Sequence, residues 1–354
     1  MTEVIRSLRT RAVRVPLTRP WGPDVRDLSL VEVVVEDCAG DVGYGFSWTP
    51  SIGATAVQAH LDHDIAAFAV GRDADAATLW HPLWAHLHEG GGGGITTIAM
   101  AGLDLALWDL AARRAGVGLV EHLGRRHETA EVYGSGVNLH YPLDELVAQA
   151  ERWVAAGFDA VKVKVGSPDL ARDLERIGAV REVIGPDRRL MVDANQRWTL
   201  EQAERAIGEL AAFDLAWIEE PLRADDLAGH VALRERVDVP VALGENLYTR
   251  YRFAEFIDAG AASIVQPNAV RVGGITPFLE IAALADERGV ELAPHLLLEL
   301  SAQLALVLPG RHLVESVEDA SFDALGALAS PSPVAVSGAE VRSTGQPGIG
   351  IRFT

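Results

Sequence analysis

The sequence is short of cysteine, of positive charge and of long apolar runs, and each shortage removes a class of protein. Cys38 is the one thiol in 354 residues, so no disulfide can close within the chain and no thiolate pair is available for zinc. It follows an alternating strand pattern, which marks a packing thiol rather than a nucleophile. Lys and Arg number 31 against 50 Asp and Glu, giving a formal net charge of −19 and a pI near 5.0. Nucleic acid and anionic membrane surfaces both require a basic face, so neither is an expected partner. No run of 18 or more apolar residues suggests a membrane span, and residues 1–10 lack the apolar core of a secretory signal. A cytoplasmic location is therefore the expectation. An acidic protein that binds an acidic substrate must also place positive charge locally.

What the chain does have is length and apolar content: 354 residues at 49% hydrophobic can fill a barrel domain and a smaller companion. Residues 3–15, 29–36 and 43–46 alternate as strands of an antiparallel meander, with the Pro- and Gly-rich stretch 17–26 expected as a mobile loop. Residues 54–70, 74–87 and 95–115 carry helical periodicity. Together they predict an α+β capping domain over residues 1–125. The glycine run 90–94 follows no strand and precedes no Gly-Lys-Ser/Thr, so it is a connection rather than a phosphate loop. His81, His86 and His88 beside it lack a completing carboxylate or thiolate and are read as surface or packing residues.

From Glu131 the texture changes to strand and helix in alternation. Strands are predicted to begin near Val132, Ala160, Leu190, Leu215, Val241, Ser263, Val290 and Leu313. Eight such strands at intervals of about 20 to 30 residues predict a (β/α) barrel over residues 126–320, with catalysis at the carboxyl ends of the strands. Residues 321–354 are expected to pack back on the capping domain.

Three of these strands end in carboxylates, Asp193, Glu219 and Glu245, each 26 residues from the next. Hard oxygen ligands converging there suit magnesium better than zinc. The competing reading, three helix N-caps, accounts for any one of them but not for the regular spacing. One strand earlier, alternation puts Lys162 and Lys164 on the inward face, where two like charges would lower each other's pKa and make one a base. His295 and Glu315 end the seventh and eighth strands.

The set Lys162-Val163-Lys164, Asp193-Ala194-Asn195, Glu219-Glu220-Pro221, Gly244-Glu245-Asn246, Val272-Gly273-Gly274, Pro294-His295 and Glu315 resembles the mandelate racemase branch of the enolase superfamily. The likeness extends to Asp104-Leu105-Ala106-Leu107-Trp108-Asp109 in the capping domain. The resemblance implies a modified TIM barrel, (β/α)7β, under an α+β cap. It implies Mg2+ on Asp193, Glu219 and Glu245, and α-proton abstraction from a small-molecule carboxylate to give a metal-stabilised enediolate. By position, Lys162 would steady the substrate carboxylate, Lys164 would be a base, His295 the acid or base on the opposite face, and Glu315 a hydrogen-bond donor to the oxyanion. Asn195 would meet the substrate or a metal-bound water, and a homo-oligomer is expected.

The chain departs from the pattern at Asn268, where the racemases and most sugar-acid dehydratases of the branch carry an Asp. Asn268 is expected to accept a hydrogen bond from the imidazole while adding no charge that favours its protonation. That weakens two-base racemisation more than dehydration, so the expected activity is a sugar-acid or hydroxy-acid dehydratase yielding a 2-keto-3-deoxy product. The alternatives are a racemase or epimerase, and a non-catalytic acid-binding protein. Trp21 and Trp48, with Pro20, Asp24, Ser51 and Ile52, are candidate substrate contacts from the cap, and Ser135 and His140 from the barrel.

Overall fold

The computed structural model describes residues 3–354 apart from Pro23. Three antiparallel strands open the chain: β1 (Ile5–Trp21), β2 (Val25–Asp37) and β3 (Val42–Thr49). Of residues 17–26, expected as a mobile loop, 17–21 and 25–26 instead extend the β1/β2 hairpin, which pairs as far as Trp21 with Val25. The Pro, Gly and charge of that stretch misled the reading, but Pro16 and Pro20 lie within β1. They are tolerated because β1 is an edge strand, and the register slips between Pro16 and Trp21. The helix Ile95–Arg114 lies directly on β3, since a Cβ on Gly43 would meet the Ala106 carbonyl at 2.1 Å and one on Gly45 the Gly102 carbonyl at 2.2 Å. That helix is long and apolar enough to cross a membrane, a feature the search for apolar runs passed over. Its apolar window is 83% buried inside the fold.

The second unit is a modified TIM barrel, (β/α)7β, of eight parallel strands. These are β4 (Ala130–Ser135), β5 (Ala160–Lys164), β6 (Arg189–Asp193), β7 (Leu215–Glu219), β8 (Val241–Leu243), β9 (Ile264–Val265), β10 (Glu291–Leu292) and β11 (Leu313–Val317). Strands β4 to β10 pair in sequence order and β11 pairs with β4. Seven of the eight are followed by a helix, including Leu143–Ala155, Leu170–Ile184, Leu200–Leu210 and Ile275–Arg288, which the periodicity predicts. Leu227–Arg234, Arg250–Asp258 and Leu298–Ala305 fill the remaining gaps in the strand-helix alternation. The first of these buries Gly229 and His230 on its inner face, so it carries no clean apolar stripe.

The period of two along each strand sorts the barrel interior into layers. Tyr133, Ala160, Met191, Trp217, Ile264 and Ala293 form an apolar floor. Two residues further along, on the same face, stand Ser135, Lys162, Asp193, Glu219, Gln266 and His295. Leu313 and Glu315 repeat the relation on β11.

The C-terminal stretch divides its allegiance, which corrects the expectation that all of 321–354 packs on the cap. Hairpin β12 (Val334–Ser337) and β13 (Glu340–Ser343) joins the barrel, with β13 antiparallel to β4. Phe322, edge-on to Phe46, and the last residues reach the cap. Ile349 N donates to Asp109 (2.7 Å), Phe353 N donates to Glu32 (3.1 Å), and Phe353 packs edge-on against Phe46. Asp104 on the cap helix accepts from the Thr276 amide (3.1 Å) and hydroxyl (2.6 Å), fastening the cap to the start of a barrel helix.

Candidate active site

Five carboxylates, those of Asp193, Glu219, Glu220, Glu245 and Glu315, are buried together at the mouth of the barrel. The backbone bends sharply there: Asn195, Gln196, Glu220, Leu296 and Leu297 all have positive φ, a costly state for residues other than glycine. Lys162 Nζ lies 2.7 and 2.9 Å from the Glu219 oxygens and 2.8 Å from Glu315 Oε1, and Lys164 Nζ pairs with Asp193 Oδ2. Burial alone would pull both lysines down. The acid partners more than offset it, so Lys162 is held well above its usual value and Lys164 is raised too. The expected mutual lowering is overridden because each ammonium has a carboxylate closer than the other lysine.

Glu315 accepts from Ser135 Oγ (2.7 Å) and the Leu296 amide (3.0 Å) as well as from Lys162. Burial would raise it, but Lys162, His295 and Lys164 bring it down to about 2. As arranged here it is an acceptor, not the donor the resemblance implied. Glu219 moves the other way, up to about 7. Burial and the nearby Asp193 and Glu315 charges prevail over Lys162.

The imidazole side differs from expectation in one respect. Asn268 Oδ1 accepts from the backbone N–H groups of Val270 and Arg271, both at 3.1 Å, and these can only donate. Its Nδ2 therefore faces His295, 3.1 Å from Nδ1 and 3.4 Å from the His295 carbonyl. Asn268 donates to the ring and does not accept from it. Nδ1 must then carry a lone pair, which puts the imidazole proton on Nε2, 2.9 Å from Glu245 Oε2.

This orientation bears on the metal. Ligand atoms of Glu219, Glu245 and His295 lie within 4.8 Å of one another. A protonated Nε2 cannot ligate, however, so the oxygen set of Asp193, Glu219 and Glu245 fits a cation better. Five carboxylates stand against two ammonium groups and the Arg271 guanidinium, and the excess shows in Glu219 and Glu220, both pushed up by burial and by neighbouring carboxylates; a divalent ion would relieve it. The donors are all oxygens, which suits magnesium.

A cavity of about 180 Å³ opens onto this cluster. Trp21, Trp48, Ser135, Lys164, Asn195, Glu245, His295 and Glu315 line it, so the structure gathers these predicted residues. Lys162, Asp193, Glu219 and Asn268 lie behind the wall, and Asn268 touches His295 rather than the cavity. His140 stacks edge-on against Tyr141 and does not line the cavity. Ser51 and Ile52 do not line it either: Pro50 does, and Ile52 is 83% exposed. Sequence reasoning missed Arg271, which bonds the Glu245 carbonyl (2.9 Å) beneath the Trp48 ring. Its position three residues after Asn268 in a strand-end loop was the available signal.

Comparison with known proteins agrees with this geometry. Residues 3–124 match the family model for the mandelate racemase / muconate lactonizing enzyme N-terminal domain, and residues 145–354 the enolase C-terminal domain-like model. The chain belongs to this family. It is 36% identical over 353 residues to a 3,6-anhydro-alpha-L-galactonate cycloisomerase of Streptomyces coelicolor, covering 98% of this chain and 96% of that protein. It is 37% identical to an L-talarate/galactarate dehydratase of Salmonella typhimurium over 82% of this chain and 74% of that protein. Among solved structures it superposes with a TM-score of 0.93 on a Streptomyces coelicolor racemase with bound magnesium. That pair is 36% identical and covers 99% of this chain and 97% of the other. Family members thus include lyases and isomerases, and this chain is an enzyme of that superfamily.

Proposed function

We propose that this enzyme removes the α-proton of a sugar acid or hydroxy acid and expels the β-oxygen, as a dehydratase or a ring-opening cycloisomerase, rather than racemising its substrate. The observation that carries this is the orientation of the Asn268 amide. Its donor faces Nδ1 of His295, so an imidazolium, with N–H on both nitrogens, would meet a second N–H instead of an acceptor. His295 is thereby kept as an Nε2–H donor and gives no base on its side of the cavity. A racemase needs a base on each face, whereas elimination needs one.

The roles follow from position. Mg2+ held by Asp193, Glu219 and Glu245 would supply positive charge to the substrate carboxylate and acidify the neighbouring C–H. Lys164 reaches the cavity and is the base: the Asp193 carboxylate that raises it would be taken by Mg2+, leaving burial and the neighbouring Lys162 to lower it, while Lys162, 1% exposed, stays behind the wall and orders Glu219 and Glu315. The α-proton passes to Lys164 Nζ, the C–H electron pair becomes the new C=C bond, and the Cβ–O bond breaks. His295 donates a hydrogen bond through Nε2–H to the departing oxygen, which takes its proton from the Lys164 ammonium. A hydroxyl leaves as water, and a ring ether stays attached as a new hydroxyl. The enol then tautomerises to a 2-keto-3-deoxy acid.

The relatives' activities as dehydratase and cycloisomerase support this reading. The test is a screen of sugar and hydroxy acids with Mg2+ that follows keto-acid product and, in D2O, α-proton exchange. Keto product is expected. Exchange with inversion and no product would instead establish a racemase, and silence on every acid, with ligand binding intact, would indicate a binder.

A further inference from the structure

The end of β5 is held by a side chain where its neighbouring strand gives out. Strand β4 pairs with β5 at Gly134 with Val161 and at Ser135 with Lys162, and the ladder stops there. On the other side β6 continues it, and Val165 N donates to the Asp193 carbonyl (2.9 Å). The Lys164 N–H, one pleat beyond the last β4 partner, donates instead to Asn138 Oδ1 (3.0 Å). The buried Asn138 side chain thus does what the next β4 carbonyl would have done.

Asn138 is in turn the first member of a relay whose direction is fixed. Its Oδ1 faces a backbone N–H, which can only donate, so Nδ2 points the other way and donates to Gln149 Oε1 (2.8 Å). Gln149 Nε2 donates to Glu318 Oε2 (2.8 Å), and Glu318 accepts from Nε and Nη2 of Arg152, both at 2.9 Å. Burial would raise the Glu318 carboxyl, but the bonds from Arg152 and Gln149 hold it below its usual value, so it can only accept. Each amide therefore has one orientation, set by a donor at one end and an acceptor at the other. Arg176, also buried, clamps the same loop by donating to the carbonyls of Asn138 and Tyr141, both at 2.8 Å. None of Asn138, Gln149, Glu318 and Arg152 lines the cavity.

In the elimination reading Asp193, which Lys164 Nζ pairs with, is a metal ligand, so the aim of Nζ rests on where the strand end is held. Resting on that reading, we propose that Asn138 is a positioning residue for the base. Through its bond to the Lys164 N–H, and braced by Gln149, Glu318 and Arg152, it sets the place of Nζ against the substrate α-carbon without touching the substrate. A misplacement of about 1 Å at a reacting group costs about a hundredfold in rate.

The experiment breaks the relay and then reverses it in the Mg2+-loaded full chain. Keto-acid formation and, in D2O, α-proton exchange are followed on aldonates and aldarates. Asn138→Ala is expected to lower kcat and exchange together about a hundredfold, with KM and Mg2+ affinity within about threefold of wild type. Asn138→Asp keeps an acceptor for the Lys164 N–H but leaves two acceptors facing each other, at one end of Gln149 or the other, and is expected to cost about tenfold. Adding Glu318→Gln lets the Gln149 amide turn, donate to the introduced carboxylate and accept from the introduced amide. The double variant Asn138→Asp/Glu318→Gln is therefore expected to recover to within about threefold of wild type, a rescue that a mere loss of packing would not show. Unchanged kcat and exchange in Asn138→Ala, or a double variant as impaired as Asn138→Asp, would overturn the inference. If Lys164→Ala abolishes exchange while Asn138→Ala does not, the positioning role alone fails. Exchange with inversion and no keto product would overturn the elimination reading alone, since the effect of Asn138 is still read in the exchange rate. Silence of the wild type in both readouts would overturn both. Circular dichroism spectra matching wild type show that the variants are folded.

Discussion

The two walls of the active site are built in opposite ways. On the β5 side, Lys162 and Lys164 stand one pleat apart on a regular strand, Lys162 between Glu219 and Glu315 and Lys164 against Asp193. On the β9–β10 side, His295 follows a two-residue strand, sits at the start of a left-handed turn, and is backed by a neutral amide fixed by backbone N–H groups. One wall is charged and, in the elimination reading, exchanges protons. The other is uncharged at its back and, in that reading, only donates. Both are buried to a similar degree, so the contrast lies in the partner each group meets.

Removing the charged wall tests the contrast most severely. Lys164→Ala is expected to lower keto-acid formation and α-proton exchange together by a factor of about 10³ or more, with carboxylate binding retained. Persistent exchange in that variant would mean that His295 acts as a base and that the walls are equivalent. The complementary change, Asn268→Asp, should bring them closer. A carboxylate there can still accept from Val270 and Arg271 N–H, and it converts the contact at Nδ1 from donor to acceptor, favouring the doubly protonated ring. Exchange on the second face, read by deuterium incorporation with inversion, is expected to rise about tenfold relative to product. An unchanged partition would show that the amide does not set the imidazole's role.

How far the two walls could be read in advance follows the same division. Alternation along β5, β6 and β7 put Lys162, Asp193 and Glu219 on one face, because strand periodicity is a local property that the residues themselves display. The eight barrel strands were legible for the same reason, and the side chains gathered around the cavity came with them. The imidazole wall was legible in identity but not in behaviour. Which end of the Asn268 amide faces His295 depends on where two backbone N–H groups fall after the chain turns, and no side-chain pattern encodes that. Arg271 and Leu296 likewise lie in irregular segments, where position relative to the cavity is set by the fold as a whole. The β1/β2 hairpin was hidden by prolines that an edge strand tolerates.

The imidazole wall also hangs from the cap, which gives the smallest and most indirect prediction. Trp80 Nε1 donates to the Gly273 carbonyl (2.8 Å), and Asp104 receives both polar hydrogens of Thr276, so the loop that runs on from Asn268 is fixed by cap residues. The lysine wall lies within the barrel strands. Asp104 is fully buried, and burial, only partly offset by the Thr276 bonds, pushes its carboxyl from 3.8 up to about 7. The folded protein therefore binds this proton more tightly than the unfolded chain does. Stability tied to it is complete below about pH 4, declines as the pH rises, and is gone above about pH 7. The span from 3.8 to about 7 bounds the loss at about 4 kcal/mol. Glu299, also raised to about 7 by burial, adds a decline of the same sign, so the wild-type curve alone cannot assign it. Asp104→Asn keeps an oxygen for Thr276 and removes the titration. Between pH 5 and pH 8 the variant should therefore lose about 2–3 kcal/mol less stability than wild type in urea unfolding, with the Glu299 contribution common to both. Parallel curves would mean that Asp104 is ionised throughout and that the cap holds this wall by charge rather than by a neutral hydrogen bond.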